Sequence, residues 1–283
     1  VGIDLDAIGH GLAEVVEAAG QFVREDVAHG GKYGIRIGVK SLAGGAGAPS
    51  ATADEPHFQR VAVGGSGDLR PCQRNQAGSH GGGTAEGQLA IVAGYGVTED
   101  YVGAPIRSSM EVVQVGSTSE GVPVFCDRHA SRADHVAVVN RIRPHTDFFG
   151  PIQSGLHKMM LIGMGKHHGA QIYHRAIQDY SWDHIIRAVG TEVIKTCKVA
   201  FGLGIVENQY DQTALLKGVL PEELVEREKE LLVLAKKWMP RLPFDHVDLL
   251  IVDEIGKNIS GAGMDTNVVG RKFHDNHAAE KEY

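Results

Sequence analysis

Cysteine is scarce in this chain: Cys72, Cys126 and Cys197 are the three among 283 residues. They lie far apart and in odd number, which argues against a disulfide framework or a zinc knuckle and fits a reducing cytoplasm. A basic surplus is missing too. The formal net charge is −7. Nucleic acids and anionic membrane surfaces recruit basic patches, so neither is an expected partner. No apolar run reaches the roughly eighteen residues of a transmembrane helix. The opening VGIDLDAIGHGLAEVVEAAG has no basic start followed by an apolar core, so no signal peptide is expected. No internal repeat is visible.

What is present is a chain with 42% hydrophobic and 22% charged residues, enough to bury a core in one large domain or two small ones. Glycine and histidine are unusually abundant, at 37 and 15 residues, and eight of the histidines fall between His129 and His184.

Leu5, Ile8, Leu12, Val15, Val16 and Ala19 recur at helical spacing, so residues 1–33 read as a helix, and GIRIGV (34–39) as a strand. Residues 40–76 are rich in Gly, Ala, Ser, Pro and Arg and poor in large aliphatics. Their composition is atypical of a packed segment and suits disorder or an out-of-frame reading. From Ala77 the character changes. TAEGQLAIVAGYG (84–96) reads as an amphipathic helix, EVVQVG (111–116) and GVPVFC (121–126) as short strands, and HVAVVN (135–140) as a buried strand. PIQSGLHKMMLIGMG (151–165) reads as a helix with Pro151 in its first turn. VAFGLGIVEN (199–208) and HVDLLIVDEIG (246–256) read as further buried strands, and PEELVEREKELLVLAKKWM (221–239) as a helix with acids early and lysines late. Strands alternating with helices predict an α/β fold, with a largely parallel sheet and flanking helices.

Position selects a few residues. His80, in GSHGGGT, lies between a loop and a helix start, and His145 follows Pro144 just beyond a strand. Both are places where an α/β protein presents side chains to a ligand. A phosphate can rest on the backbone N–H groups of GSHGGGT. Lys158 stands in an apolar run with Met159, Met160, Leu161 and Ile162. It either snorkels to water or is desolvated into a nucleophile, and the sequence leaves both open.

GSHGGGTAEGQ, PIRSSMEVV, VVNRIRPHTDFFGPIQSGLHKMMLIGMGKHHGA, GLGIVEN and VDEIGKNISGAGMD carry a family resemblance. From about Ala77 to Arg271 the chain resembles the nickel-dependent lactate racemase family, and its uncharacterised branch more closely than the proven racemases. The resemblance implies a two-lobed α/β protein. Residues 1–242 would form the N-terminal cofactor-bearing domain, and 243–283 the truncated start of the C-terminal one. It also implies a nickel pincer nucleotide held covalently by Lys158, in SGLHK, with His174 as nickel ligand by its distance from that lysine. His80 and His145 match the family's catalytic histidines, and Gly81, Gly82, Thr84, Ser154 and Gly155 fall in its cofactor-binding elements. The implied activity is an isomerase: racemisation or epimerisation of a small-molecule 2-hydroxy acid, by hydride transfer to the cofactor, with a histidine taking the hydroxyl proton. Enzymes of cofactor biosynthesis are the implied partners. Gly81 stands where the racemases carry an arginine, so the substrate carboxylate would fall to Arg143 or Arg141. A sugar-acid epimerase in the same site, or an inactive metal- or nucleotide-binding relative, are the alternatives.

Overall fold

The computed structural model describes residues 83–94, 97–102, 105–256 and 264–270. The expected helix over 1–33, the strand at 34–39, the stretch 40–76, and His80, Gly81 and Gly82 lie outside the described residues.

The β-branched run of HVAVVN forms β3 (Val136–Arg141), in which Val136, Ala137, Val138 and Asn140 are buried. β3 pairs in parallel with β4 (Val199–Glu207), and β4 pairs antiparallel with β5 (Thr213–Val219), giving the order β3-β4-β5. A separate antiparallel hairpin joins β1 (Val112–Ser117) to β2 (Pro123–Asp127). Its turn closes through Gly121 N–H to the Thr118 carbonyl at 3.0 Å, with Gly121 at φ 81°. The α/β class therefore holds, with sheets and flanking helices. The pairing is mixed, not largely parallel: among the described residues β3 and β4 are the parallel pair. A parallel pair needs a long crossover, and only residues 142–198 provide one here; the shorter link from β4 to β5 turns the chain back.

That crossover carries the site. It contains a helical turn, α3 (Leu156–Lys158), which runs directly into a π-helical segment (Met159–Met164). Two longer helices follow, α4 (Lys166–Tyr180) and α5 (Trp182–Thr196). α4 and α5 pack against the hairpin, and a sixth helix, α6 (Leu224–Trp238), packs on β4. Two shorter elements precede the hairpin, α1 (Ala85–Gly94) and α2 (Glu99–Val102), and α7 (Thr266–Val269) lies near the end of the described chain. Gly202 and Gly204 let β4 approach its neighbours closely: a Cβ on Gly202 would lie 2.7 Å from Leu224 and 2.8 Å from Leu156. No helix among the described residues is long and apolar enough to cross a membrane.

Three expectations change. The helix read from Pro151 begins five residues later, because 151–155 spend their backbone on an irregular turn in which Ser154 exchanges hydrogen bonds with Arg143. The helix read over 84–96 spans Ala85–Gly94 and buries none of its residues, so it is not amphipathic in its setting. The strand read at 246–256 is irregular, with Leu249 and Ile251 more than 70% exposed. An apolar run becomes a strand only where a neighbour takes up its backbone groups, and no described strand does so.

The start of α3 is built around a buried acid. Glu228, 1% exposed on α6, accepts the His157 backbone N–H at 3.0 Å and lies 2.5 Å from His157 Nδ1. Its other oxygen occupies the space beside Gly155, 2.1 Å from where a Cβ would stand. Gly155 has φ 175°, an extended backbone open to any residue, so the clash alone demands glycine. Gly155→Ala should therefore cost about 1–3 kcal/mol of stability. An unchanged denaturant midpoint would show that the Glu228 carboxylate is not held there.

Candidate functional site

Lys158 is the last residue of α3, and its backbone is tightly placed. The Asn140 side-chain amide donates to the Gly155 carbonyl at 2.7 Å, Ser154 pairs with Arg143, and Glu228 holds His157. Leu156, His157 and Met159 around it are buried. The amine makes no hydrogen bond or ion pair with any other described residue. Burial, and then the positive charge of Arg143, push its pKa down to about 8. Of the two readings the sequence leaves open for Lys158, the lowered pKa favours desolvation, while the side chain as a whole is half-buried. Lys166 makes the contrast: its Nζ sits 3.4 Å from both Asp127 Oδ2 and Gln88 Oε1.

His174 lies on the exposed side of α4. The preceding residue, Tyr173, is buried and accepts the Phe125 N–H at 2.9 Å, which fixes α4 on β2. Loss of water around the His174 ring, and then the charge of Lys158, hold its pKa below the usual histidine value, with Asp147 opposing. Desolvation and a neighbouring positive charge thus both work against the charged form, at His174 through Lys158 and at Lys158 through Arg143.

His145 lies in the loop between β3 and α3, against an aromatic stack. Phe148 and Trp182 are parallel within 5° at 4.2 Å; His145 sits 4.7 Å from Phe148 and 5.6 Å from Trp182. His174 reaches the same Phe148 at 6.1 Å. The indole N–H of Trp182 donates to the Ile152 carbonyl at 3.0 Å, which locks the stack to the loop. Nδ1 of His145 accepts the backbone N–H groups of Asp147 and Phe148, at 3.0 and 3.1 Å. A nitrogen that accepts carries no proton, so the neutral ring carries its proton on Nε2.

Arg141 forms an ion pair with Glu207. Arg143 is the arginine whose charge reaches Lys158. Thr84 is exposed, and its hydroxyl accepts the Gly87 N–H at 3.0 Å, capping α1. Ser154 and Gly155 anchor the turn before Lys158. Among the described residues no three His, Cys, Asp or Glu side chains form a cluster suited to a metal. A metal carried here would need other donors beside His174.

Sequence reasoning missed Asn140, Glu228, Phe148 and Trp182. Glu228 had a signal: it stands with Leu224, Leu231, Leu232 and Ala235 on the buried face of α6, where an acid needs a partner.

Residues 75–183 match the lactate racemase N-terminal domain. Over that span the chain is similar to that domain. The matched span contains His80, His145, Lys158 and His174. The lactate racemase apoprotein from Thermoanaerobacterium thermosaccharolyticum has a similar structure, with a TM-score of 0.41 and 18% identity over 50% of this chain and 36% of that one. The chain thus spans little more than a third of that racemase. No protein of curated function matches.

A buried amine with a lowered pKa is a nucleophile at lower pH than its surface counterparts. Acylation of Lys158 by a water-soluble activated ester, followed by peptide mapping, should be half-maximal near pH 8, against about 10.4 for exposed lysines. Arg143→Gln removes a like charge and should move that midpoint upward, though not fully, because burial is the larger cause. A midpoint in the ordinary lysine range for the unmodified protein would contradict the desolvated amine.

Proposed function

We propose that this chain contributes the cofactor-bearing part of an isomerase that racemises or epimerises a 2-hydroxy acid, with Lys158 as the covalent carrier of a nickel pincer nucleotide. The observation that carries this reading is the Lys158 amine, its pKa lowered and with no hydrogen bond or ion pair to another described residue, together with a His174 ring whose pKa the same lysine helps to lower. A covalent link to a lysine needs the unprotonated amine, and a metal takes a neutral imidazole. The residues present therefore fit the group: Lys158 would carry it, and His174 would ligate its metal. A planar donor set with one imidazole suits Ni(II). When bound, the nickel pincer nucleotide supplies a hydride acceptor for C2 of the substrate.

The chain's own residues then have separate work. The substrate carboxylate falls to Arg143 or Arg141; Arg141 is ion-paired with Glu207, and Arg143 feels the charges of Asp265, Glu207 and Asp211. His145 offers its Nε2–H to the oxygen on C2. To take a proton itself, the ring must free Nδ1 from both backbone donors. The Phe148–Trp182 stack beside it shields the polar groups from water, which strengthens their interactions. His80, in GSHGGGT, is assigned to the same chemistry from its place in the matched segment. A sugar-acid epimerase is the second reading, because Gly81 stands where the racemases carry an arginine.

The test uses the protein made alongside the enzymes of cofactor biosynthesis. Lys158→Ala should abolish the covalent mass. His174→Ala should keep that mass and lose nickel, since one of the metal's donors is gone. His145→Ala should keep both and lose turnover on the order of a hundredfold or more. Full nickel occupancy in His174→Ala would refute the ligand assignment, and nickel without any covalent mass would leave a metal-binding protein in place of the isomerase.

A further inference from the structure

A short segment far along the chain grips the loop that bears His145. Asp265 caps α7 by accepting the Asn267 N–H at 2.9 Å. The Thr266 hydroxyl donates to the Thr146 carbonyl at 2.6 Å. The Asn267 side-chain amide donates to the His145 carbonyl at 3.2 Å and to Asp265 Oδ1 at 3.1 Å. Thr266 is 5% exposed, so water competes little for these carbonyls. On the other side of the loop, the His145 N–H donates to Gln153 Oε1 at 2.8 Å.

The Thr146 carbonyl and the Asp147 N–H belong to one peptide unit. That unit is planar, so fixing the direction of its C=O fixes the direction of its N–H. The N–H points at Nδ1 of His145, 3.0 Å away. A carbonyl that accepts a strong hydrogen bond also polarises its own N–H, and so strengthens the bond on the far side. A chain of hydrogen bonds therefore runs from the Thr266 hydroxyl, through peptide 146–147, to the imidazole.

We propose that Thr266 is a positioning residue for His145: it orients the 146–147 peptide so that Nδ1 is held as an acceptor and the ring proton stays on Nε2. Asn267 assists by fixing the preceding carbonyl. The consequence for catalysis rests on the reading of His145 given above. The tautomer does not, since it needs neither cofactor nor substrate.

The experiment is long-range proton–nitrogen NMR on the unloaded protein labelled with ¹⁵N. In the unsubstituted protein, His145 should show a pyridine-type Nδ1, a pyrrole-type Nε2, and a scalar coupling between the Asp147 amide nitrogen and Nδ1. Thr266→Val keeps the shape and removes the hydroxyl. It should lose the coupling and bring the two ring-nitrogen signals together as the tautomers mix, and Thr266→Ser should restore the original pattern. If the valine variant fails to fold, Thr266→Ala is read in the same way. A pyrrole-type Nδ1 in the unsubstituted protein, or an unchanged pattern without the hydroxyl, overturns the proposal. An unmodified Lys158 in the loaded preparation would instead sink the isomerase reading and leave this result standing.

Discussion

The constraint at the heart of the structure is a half-buried lysine, Lys158, with no counter-ion among the described residues, which burial and the charge of Arg143 both make harder to keep charged. This lysine sits where α3 gives way to a π-helical segment whose Met159, Met160, Leu161, Ile162 and Met164 are all buried. Such segments concentrate at functional positions because they trade regular hydrogen bonding for altered side-chain direction. Gly163 makes room for the Met159 sulfur, 2.0 Å from where a Cβ would lie. The usual remedy for a buried ammonium is a carboxylate partner. Here the nearest buried carboxylate, Glu228, is already committed to His157. What reaches Lys158 instead is the like charge of Arg143. The arrangement makes the neutral amine more accessible than in an ordinary lysine.

The anchoring of that amine is distributed over distant parts of the chain. Asn140 comes from β3, Glu228 from α6, and the Ser154–Arg143 pairing from the loop itself. Glu228 takes up the His157 N–H that a helix start leaves unpaired, and the other two fix the backbone leading into it. His145 is treated similarly, held through Gln153 on one side and the 265–267 segment on the other. The two candidate side chains are thus fixed by main-chain hydrogen bonds on well-packed elements, as precise chemistry would require.

Much of this was legible in the sequence, though unevenly. β3 and β4 were readable because both are apolar runs, β3 largely buried and β4 alternating buried with half-buried. α6 was readable because its charges follow the helix dipole. The chemistry-bearing residues stood out by type and by motif, above all the lysine inside SGLHKMMLIGMG. β5, TALLKGV, escaped because its alternation is weak and half-buried. The 246–256 run misled because local strand propensity says nothing about whether a partner is at hand. The lowered pKa of Lys158 was not decidable locally: it depends on burial in the folded chain and on the charge of Arg143, fifteen positions away. Thr266 carried no signal at all, since its bond to the Thr146 carbonyl spans 120 residues.

Two lysines eight residues apart give the sharpest test. Lys166 is held by Asp127 and Gln88, whereas Lys158 has burial and a like charge around it. Fragment-ion mass spectrometry of peptides from protein made with the cofactor's biosynthetic enzymes locates any covalent group to a single residue. The group is predicted on Lys158, with Lys166 unmodified. A group on Lys166, or none on either, would contradict the central claim.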